Sequence, residues 1–367
     1  MKKVGVVTWF GGSNYGTSLQ AYALCYILQQ LGAKPYLLKK HMTWRNVVGK
    51  YLRKFRQLKN NPSLEGFSVE KQKKIAKFRR DNIRCFPQYF GFWGKLLYNK
   101  QISQFNCIIS GSDQLWNPYY TEPFLLLQGF NNKKYSYASS IGVMEIPEEK
   151  KPLYRQALSS FSEITVRENL AIKVLQEFCD CKISKVVDPT FLLTRKEWEI
   201  FSSQHTLSSF NIATPYLLCY FIADNDFYWE RVEYIQRQTG ICRIVVIPMK
   251  PAHFRENKEL IENAGLNDFV FLINHATLIC TDSFHATAIS INLERDFITF
   301  LRFPNFGEGS QNSRLEDLLT QYHLENRLFE NDEIKYLVPI DFSYARSRLA
   351  QERKKSLSFL ISIVENC

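Results

Sequence analysis

Short runs of β-branched and aromatic residues alternate with stretches of helical spacing along this chain, and the alternation runs through twice. "KVGVVT" (3–8) reads as a buried strand and "GGSNYG" as a turn. Leu19, Ala23, Tyr26, Ile27 and Leu31 then share a helical face that Gly32 ends. "KPYLLKK" (34–40) is the next strand, and a strand–helix–strand opening of this kind predicts a parallel sheet. "FNCIIS" (105–110), "KKYSYASS" (133–140) and "EITVRE" (163–168) continue the first series, with a helix near 148–160. After Asp188 and Pro189 the pattern restarts. "PYLLCYFI" (215–222), a helix over 225–239, "RIVVIPM" (243–249), "DFVFLI" (268–273), "TLICTD" (277–282), a short helix and "DFITFLR" (296–302) read as a second βα series. A long helix rich in Arg and Leu is predicted over 343–364.

The fold class is therefore α/β, with two open sheets. The expected organisation is a first domain over 1–195 carrying a basic helical insertion at about 40–100, a second over 196–342, and a C-terminal helix over 343–367 packing back on the first. In open α/β sheets ligands sit beyond the carboxyl ends of the strands, so the cleft between two such domains is the default site.

Composition narrows the class. With 45% hydrophobic residues in 367, each half can bury a core. No run of 18 apolar residues is present, and the apolar part of "MKKVGVVTWFGG" is too short for a signal segment. Nine cysteines lie scattered, mostly inside apolar runs such as those of Cys25, Cys107, Cys219 and Cys280, which reads as a reduced, cytosolic pattern without metal-site spacing. Net charge is +11, and the excess concentrates between residues 39 and 84, where 15 Lys and Arg face only Glu65, Glu70 and Asp81. Three readings of that segment stand open: a solvated helical insertion, attraction to an anionic membrane or lipid-linked phosphate, and nucleic acid. Trp44, Tyr51, Phe55 and Phe78 lie within it, but no nucleic-acid module surrounds them, which disfavours the third.

Candidate chemistry gathers where runs end. His285, in "TDSFHATAIS", stands at a strand–helix junction and can serve as general acid or base, with Asp282 and Ser283 placed to orient the ring or to donate to an anion. No GxSxG elbow supports a hydrolase triad, and His275 in "INHAT" reads as structural. "GGSNYGTSLQ" puts Gly11, Gly12 and Gly16 between strand and helix, so N–H groups there, with Asn14 and Tyr15, can meet anions or sugar hydroxyls; a tight structural turn explains the string as well. In "GSDQLWNP", Ser112, Asp113, Gln114 and Asn117 suit sugar hydroxyls and Trp116 a ring face; the alternative is a polar turn with Trp116 plugging the core. Arg167 in "TVRE" can clamp a carboxylate or phosphate, or be neutralised by Glu168 or Asp188.

Taken in order, "GSNYGTSLQAYAL", "GSDQLWNP", "KYSYASSIG", "TVRE", "VVDPTFLL" and "TDSFHATAIS", with "NSRLEDLL" and "ENR" near the end, resemble the polysaccharide pyruvyl transferase family from about residue 4 to 328. The resemblance implies a GT-B-like fold, two Rossmann-like domains facing across a cleft, with the acceptor on the first and the donor on the second. It implies transfer of a pyruvyl group from phosphoenolpyruvate to two hydroxyls of one sugar, giving a cyclic ketal on a bacterial surface-polysaccharide or cell-wall glycan precursor. Phosphoenolpyruvate is then a substrate, and no cofactor or metal is expected. The family's catalytic histidine matches His285 through "SFH", and its "RE" arginine matches Arg167. Donor contacts fall to Arg167, Ser283, Phe284 and Arg314, and acceptor contacts to Asn14, Tyr15, Gly16, Ser112, Asp113, Gln114, Trp116 and Asn117. Where some members carry an arginine two residues before the histidine this chain has Ser283, and Ala286 replaces the usual glycine, so the donor phosphate needs another cation, Arg314 or Arg302. The acceptor being a sugar or lipid-linked oligosaccharide, the expected location is cytoplasmic, with peripheral contact at the inner membrane face through segment 39–84. Two competing functions are a glycosyltransferase of the same fold using a nucleotide sugar, with Glu308 or Glu316 on the ribose, and a non-catalytic protein docking membrane or nucleic acid.

Overall fold

The computed structural model describes residues 1–10, 12, 14–42, 69–255, 257–302, 312–329 and 338–367. Gly11, Glu308 and most of the basic segment, including Trp44, Tyr51 and Phe55, lie outside them.

Strands β1 (Lys3–Val7), β2 (Lys34–Leu37), β3 (Cys107–Ser110) and β4 (Lys133–Ser136) form a parallel sheet in the order β2-β1-β3-β4. Strands β5 (Ile164–Val166) and β6 (Ile183–Lys185) pair in parallel, and bridges Tyr135↔Glu163 and Ser139↔Val166 join them to β4. The second parallel sheet runs β11-β10-β7-β8-β9, from β7 (Tyr216–Tyr220), β8 (Arg243–Val246), β9 (Glu259–Leu260), β10 (Leu278–Thr281) and β11 (Phe297–Thr299).

Helices connect the strands: α1 (Tyr15–Gln30), α2 (Val69–Asn82), α3 (Gly91–Ile102), α4 (Lys151–Leu158), α5 (Asn169–Leu175), α6 (Arg195–Ser202), α7 (Phe227–Thr239), α8 (Leu266–His275), α9 (Phe284–Leu293), α10 (Ser313–Gln321) and α11 (Ser343–Asn366). Helix α1 starts where the Asn14 carboxamide accepts from the Thr17 N–H, and Gly32, with φ +82°, turns the chain just beyond its end. In each sheet a strand near the centre, β1 or β7, has its sequence successors on opposite sides. The crevices beyond β1/β3 and β7/β10 are therefore the topological switch points, and the loops after these four strands build the site.

A single hydrophobic cluster runs from Val4, Leu19 and Leu24 through to Tyr220, Phe269 and Ile289, so both sheets share it. Tyr15 shows how the seam is packed. Its ring stacks on Phe269 with centroids 4.4 Å apart, and its hydroxyl donates to the Ala264 carbonyl at 2.8 Å. Helix α11 returns to the first sheet: the Val187 N–H donates to Ser356 Oγ at 3.0 Å, and Lys133 Nζ donates to the Asn366 carbonyl at 2.6 Å.

Two expectations are corrected. Asp268–Ile273, read as a strand, lies inside helix α8, whose start is held by Asp268 accepting from the Gly265 N–H at 2.7 Å. The uniformly reduced cysteine set gives way at Cys107 and Cys367, which form a disulfide with Cα atoms 5.6 Å apart. Phe78, at the far end of the basic segment, is packed against Tyr22 and Phe201. Among the described residues no helix is long and apolar enough to cross a membrane.

Candidate active site

His285 is the second residue of α9. Ser283 caps that helix, its Oγ accepting from the Ala286 N–H at 3.4 Å, and the turn delivers the imidazole to the seam. The ring lies over Gly16 of α1, where a Cβ would fall 2.3 Å from Nδ1. Gly16 is thus required by close approach. On the other side His285 Nε2 faces Asp188 Oδ2 at 3.7 Å. Asp282 does not orient the ring as expected. Its carboxylate accepts from the Ile222 and Ala223 N–H groups at 2.6 and 2.8 Å and so fixes the loop after β7.

Asp188 is the hub that the sequence reading left out of the site. Its Oδ2 accepts from Ser112 Oγ at 2.9 Å and from Arg167 Nη1 at 2.9 Å, while Oδ1 takes the Thr190 N–H at 3.0 Å. Burial works to raise its pKa, but His285, Arg167 and the Thr190 N–H outweigh that and hold it well below the carboxylate range. Asp113 is lowered likewise: burial opposes, and His285, Arg167 and Arg314 prevail. Asp113 also holds φ at +76°, unusual for a non-glycine, and its side chain is tied to the Gln114 N–H at 2.9 Å and to the Thr17 hydroxyl at 3.3 Å.

Arg167 ends β5 with its side chain 2% exposed. Besides Asp188 it faces Glu168 at 3.5 Å and Asp113 at 3.7 Å, and its guanidinium stacks over Phe284 at 4.2 Å. Burial alone would lower its pKa; the three carboxylates more than offset this and raise it. Glu168 is itself anchored, accepting from Ser140 Oγ at 2.6 Å and the Ile141 N–H at 3.0 Å. Arg314, buried in the first turn of α10, has its pKa lowered to about 9 by burial and by Arg167. Arg167, Phe284, Arg314 and Tyr322 line a cavity of about 20 Å³, room for about one water.

The structure brings together His285, Arg167, Phe284, Ser112, Asp113 and Gly16. Arg314 joins them through its electrostatic coupling to Arg167 and Asp113. Gln114 lies beside Gly142, and Asn117 is spent on its own turn, accepting from the Tyr119 N–H at 3.0 Å. Two acceptor candidates are corrected. Trp116 is fully buried, its indole N–H on Ser110 Oγ at 3.0 Å and its ring against Phe161, so it plugs the core. Tyr15 is equally buried in the seam. Asn14 serves as helix cap, and Arg302 pairs with Asp282 at 3.5 Å. Glu316 sits in the first turn of α10. The signal for Asp188 was present in the sequence, since it too stands where an apolar run ends, in "VVDP".

Two parallel-sheet α/β units meeting at their switch points make this a GT-B-type fold, and solved structures agree. Methanocaldococcus jannaschii UDP-GlcNAc 2-epimerase, solved with UDP-GlcNAc and UDP, is similar at TM-score 0.53 and 14% identity, covering 100% of both chains. Anabaena HepE with UDP and glucose gives 0.51 and 8%, also over 100% of both. Staphylococcus aureus MnaA with UDP gives 0.50 and 11%, over 98% of this chain and 91% of that one. The chain belongs to the polysaccharide pyruvyl transferase family, whose sequence model matches residues 14–302. No curated protein matches it by sequence.

Proposed function

We propose that the protein transfers a pyruvyl group from phosphoenolpyruvate to two hydroxyls of one sugar in a bacterial surface-polysaccharide or cell-wall glycan precursor. The observation that carries the proposal, beyond family membership, is the cluster of buried nitrogen groups at the site: Arg167 Nε and Nη2, His285 Nε2 and Arg302 Nε make no hydrogen bond among the described residues and face carboxylates only at 3.5 to 3.7 Å. Nitrogen groups held only at ion-pair distance can turn to an anionic ligand. Phosphoenolpyruvate brings a carboxylate and a phosphate.

The reaction balances as follows. A proton adds to the donor methylene, C2 gains oxocarbenium character, and a sugar hydroxyl attacks it with loss of its proton. The C2–O bond to phosphate then breaks, and a second hydroxyl closes the ketal, again releasing a proton. His285 is the group to carry protons in this sequence, and Asp188 holds its ring. Arg167, already gripped by three carboxylates, acts here as the brace of Asp188 more than as a free anion clamp.

The test is incubation with phosphoenolpyruvate, and separately with a panel of UDP-sugars, over candidate glycan acceptors. Phosphate release, with a product heavier by one pyruvate less one water, supports the reading. Release of nucleoside diphosphate instead would make the protein a glycosyltransferase and overturn it.

A further inference from the structure

Helix α3 buries Tyr98 and Ile102 against the first sheet and turns four large apolar side chains outward: Phe92 (71% exposed), Trp93 (76%), Leu96 (47%) and Leu97 (52%). At about 100° per residue these fall within roughly 140° of the helix surface. Scattered exposed apolar residues need no explanation, but a contiguous face of this kind marks an interaction site.

Charge indicates which partner. Between Asp81 and Asp113 the chain carries Arg84, Lys95 and Lys100 and no acidic residue. Lys95 and Lys100 are exposed on α3 itself. A second copy docking through the same face about a twofold axis would bring these lysines together with no acidic residue on α3 to neutralise them. An anionic bilayer complements both features, since aromatic and Leu side chains enter the interface while lysines meet the headgroups.

Position gives the face a use. The Gly91 N–H donates to the Met42 carbonyl at 3.1 Å, and the His41 ring lies 2.8 Å from the Gly91 carbonyl. His41 and Met42 form one end of a groove of about 800 Å³ that reaches Thr17, whose hydroxyl bonds Asp113 in the active site. Lys39 and Arg79 also line the groove, as does the ion pair of Lys40 with Glu122.

We propose that α3 seats the protein on an anionic bilayer, and that the adjoining groove admits the sugar end of a lipid-linked acceptor from it. The second half rests on the pyruvyl-transfer reading; the first does not. The seat is distinct from the basic stretch singled out in the sequence.

The experiment uses the full chain with vesicles of phosphatidylcholine alone or mixed with phosphatidylglycerol, and no donor. Co-sedimentation should occur with the anionic vesicles only. Vesicles with brominated acyl chains should quench Trp93 fluorescence, the quenching disappearing in Trp93→Phe. Trp93→Asp with Leu97→Asp should lower partitioning at least 10-fold while leaving thermal unfolding unchanged, because both side chains are exposed. Equal partitioning of parent and variant, or none by either, overturns the proposal. So does a concentration-dependent dimer that the variant abolishes, which would make a second copy the occupant. If vesicles bind but phosphoenolpyruvate is never consumed, the seat stands and the transfer reading fails.

Discussion

Gly16→Ala adds one methyl group where the structure leaves no room for it. The new Cβ would lie 2.3 Å from His285 Nδ1, 2.5 Å from Cγ and 2.6 Å from Cβ, so the ring must retreat by about 1 Å to reach ordinary contact at 3.4 Å. The backbone of α1 cannot yield instead without disturbing the stacking of Tyr15 on Phe269. Overpacking of this size costs about 1–3 kcal/mol, while alanine in a helix returns about 1 kcal/mol over glycine. The net loss of stability should stay below about 2 kcal/mol. The catalytic loss should be larger, since a displacement of about 1 Å in a reacting group costs on the order of 10²-fold in rate. The assay pairs urea unfolding with phosphate release from phosphoenolpyruvate. Gly32→Ala is the control: φ is +82° and nothing lies within 4 Å of its Cβ. That variant should lose about 1 kcal/mol through backbone strain with turnover untouched. Parental turnover in Gly16→Ala would refute the placement of His285 as the reacting group.

Other outcomes follow from the same cluster. His285→Ala should cut turnover by about 10²-fold or more while circular dichroism stays native. Arg167→Ala should act first on stability, by about 3–5 kcal/mol in urea, because it strips Asp188 of its cation in a buried setting; a raised donor KM with unchanged stability would point to an anion clamp instead. Asp188 and Asp113 ionise below the usual range in the fold, so the unfolded chain binds more protons just under pH 4. The stability they supply is complete above about pH 4 and is lost as pH falls through their folded values. The urea midpoint should therefore drop on acidification, and less steeply in Asp188→Asn. Thiol titration of the denatured, unreduced protein should count seven cysteines rather than nine; nine would show Cys107 and Cys367 unpaired.

Much of this architecture was legible because its signals are local. Apolar runs of four to five residues, ended by polar or glycine-rich strings, located β1, β3, β7 and β10, and the loops after them hold His285, Ser112, Asp113 and Gly16. Asp268–Ile273 misled because α8 is buried on nearly every side, which erases the helical period. Trp116 and Tyr15 misled for a different reason. A ring beside polar neighbours in sequence looks like a ligand platform, yet whether it is covered depends on Phe161 or Phe269, far along the chain. Asp188 was readable as a partner for Arg167; that it also faces His285 depends on bringing the two halves together.

That dependence bears on how the site works. His285 comes from the second sheet; Gly16, Ser112, Arg167 and Asp188 come from the first half. Groups contributed from two halves keep a fixed spacing only if the seam between them is rigid. Here the seam is core: Tyr15 stacks on Phe269, and Asn292 of α9 donates to the Thr190 carbonyl at 3.0 Å, two residues from Asp188. Arg353 of α11 reaches both sides, donating to the Phe191 carbonyl at 2.6 Å and to the Asn292 carboxamide at 3.1 Å. The segment carrying Asp188 and the helix carrying His285 are thus bolted together by hydrogen bonds that do not involve either residue. An imidazole held in this way is fixed before any ligand arrives, which is the condition a positioned acid–base group needs in order to be effective.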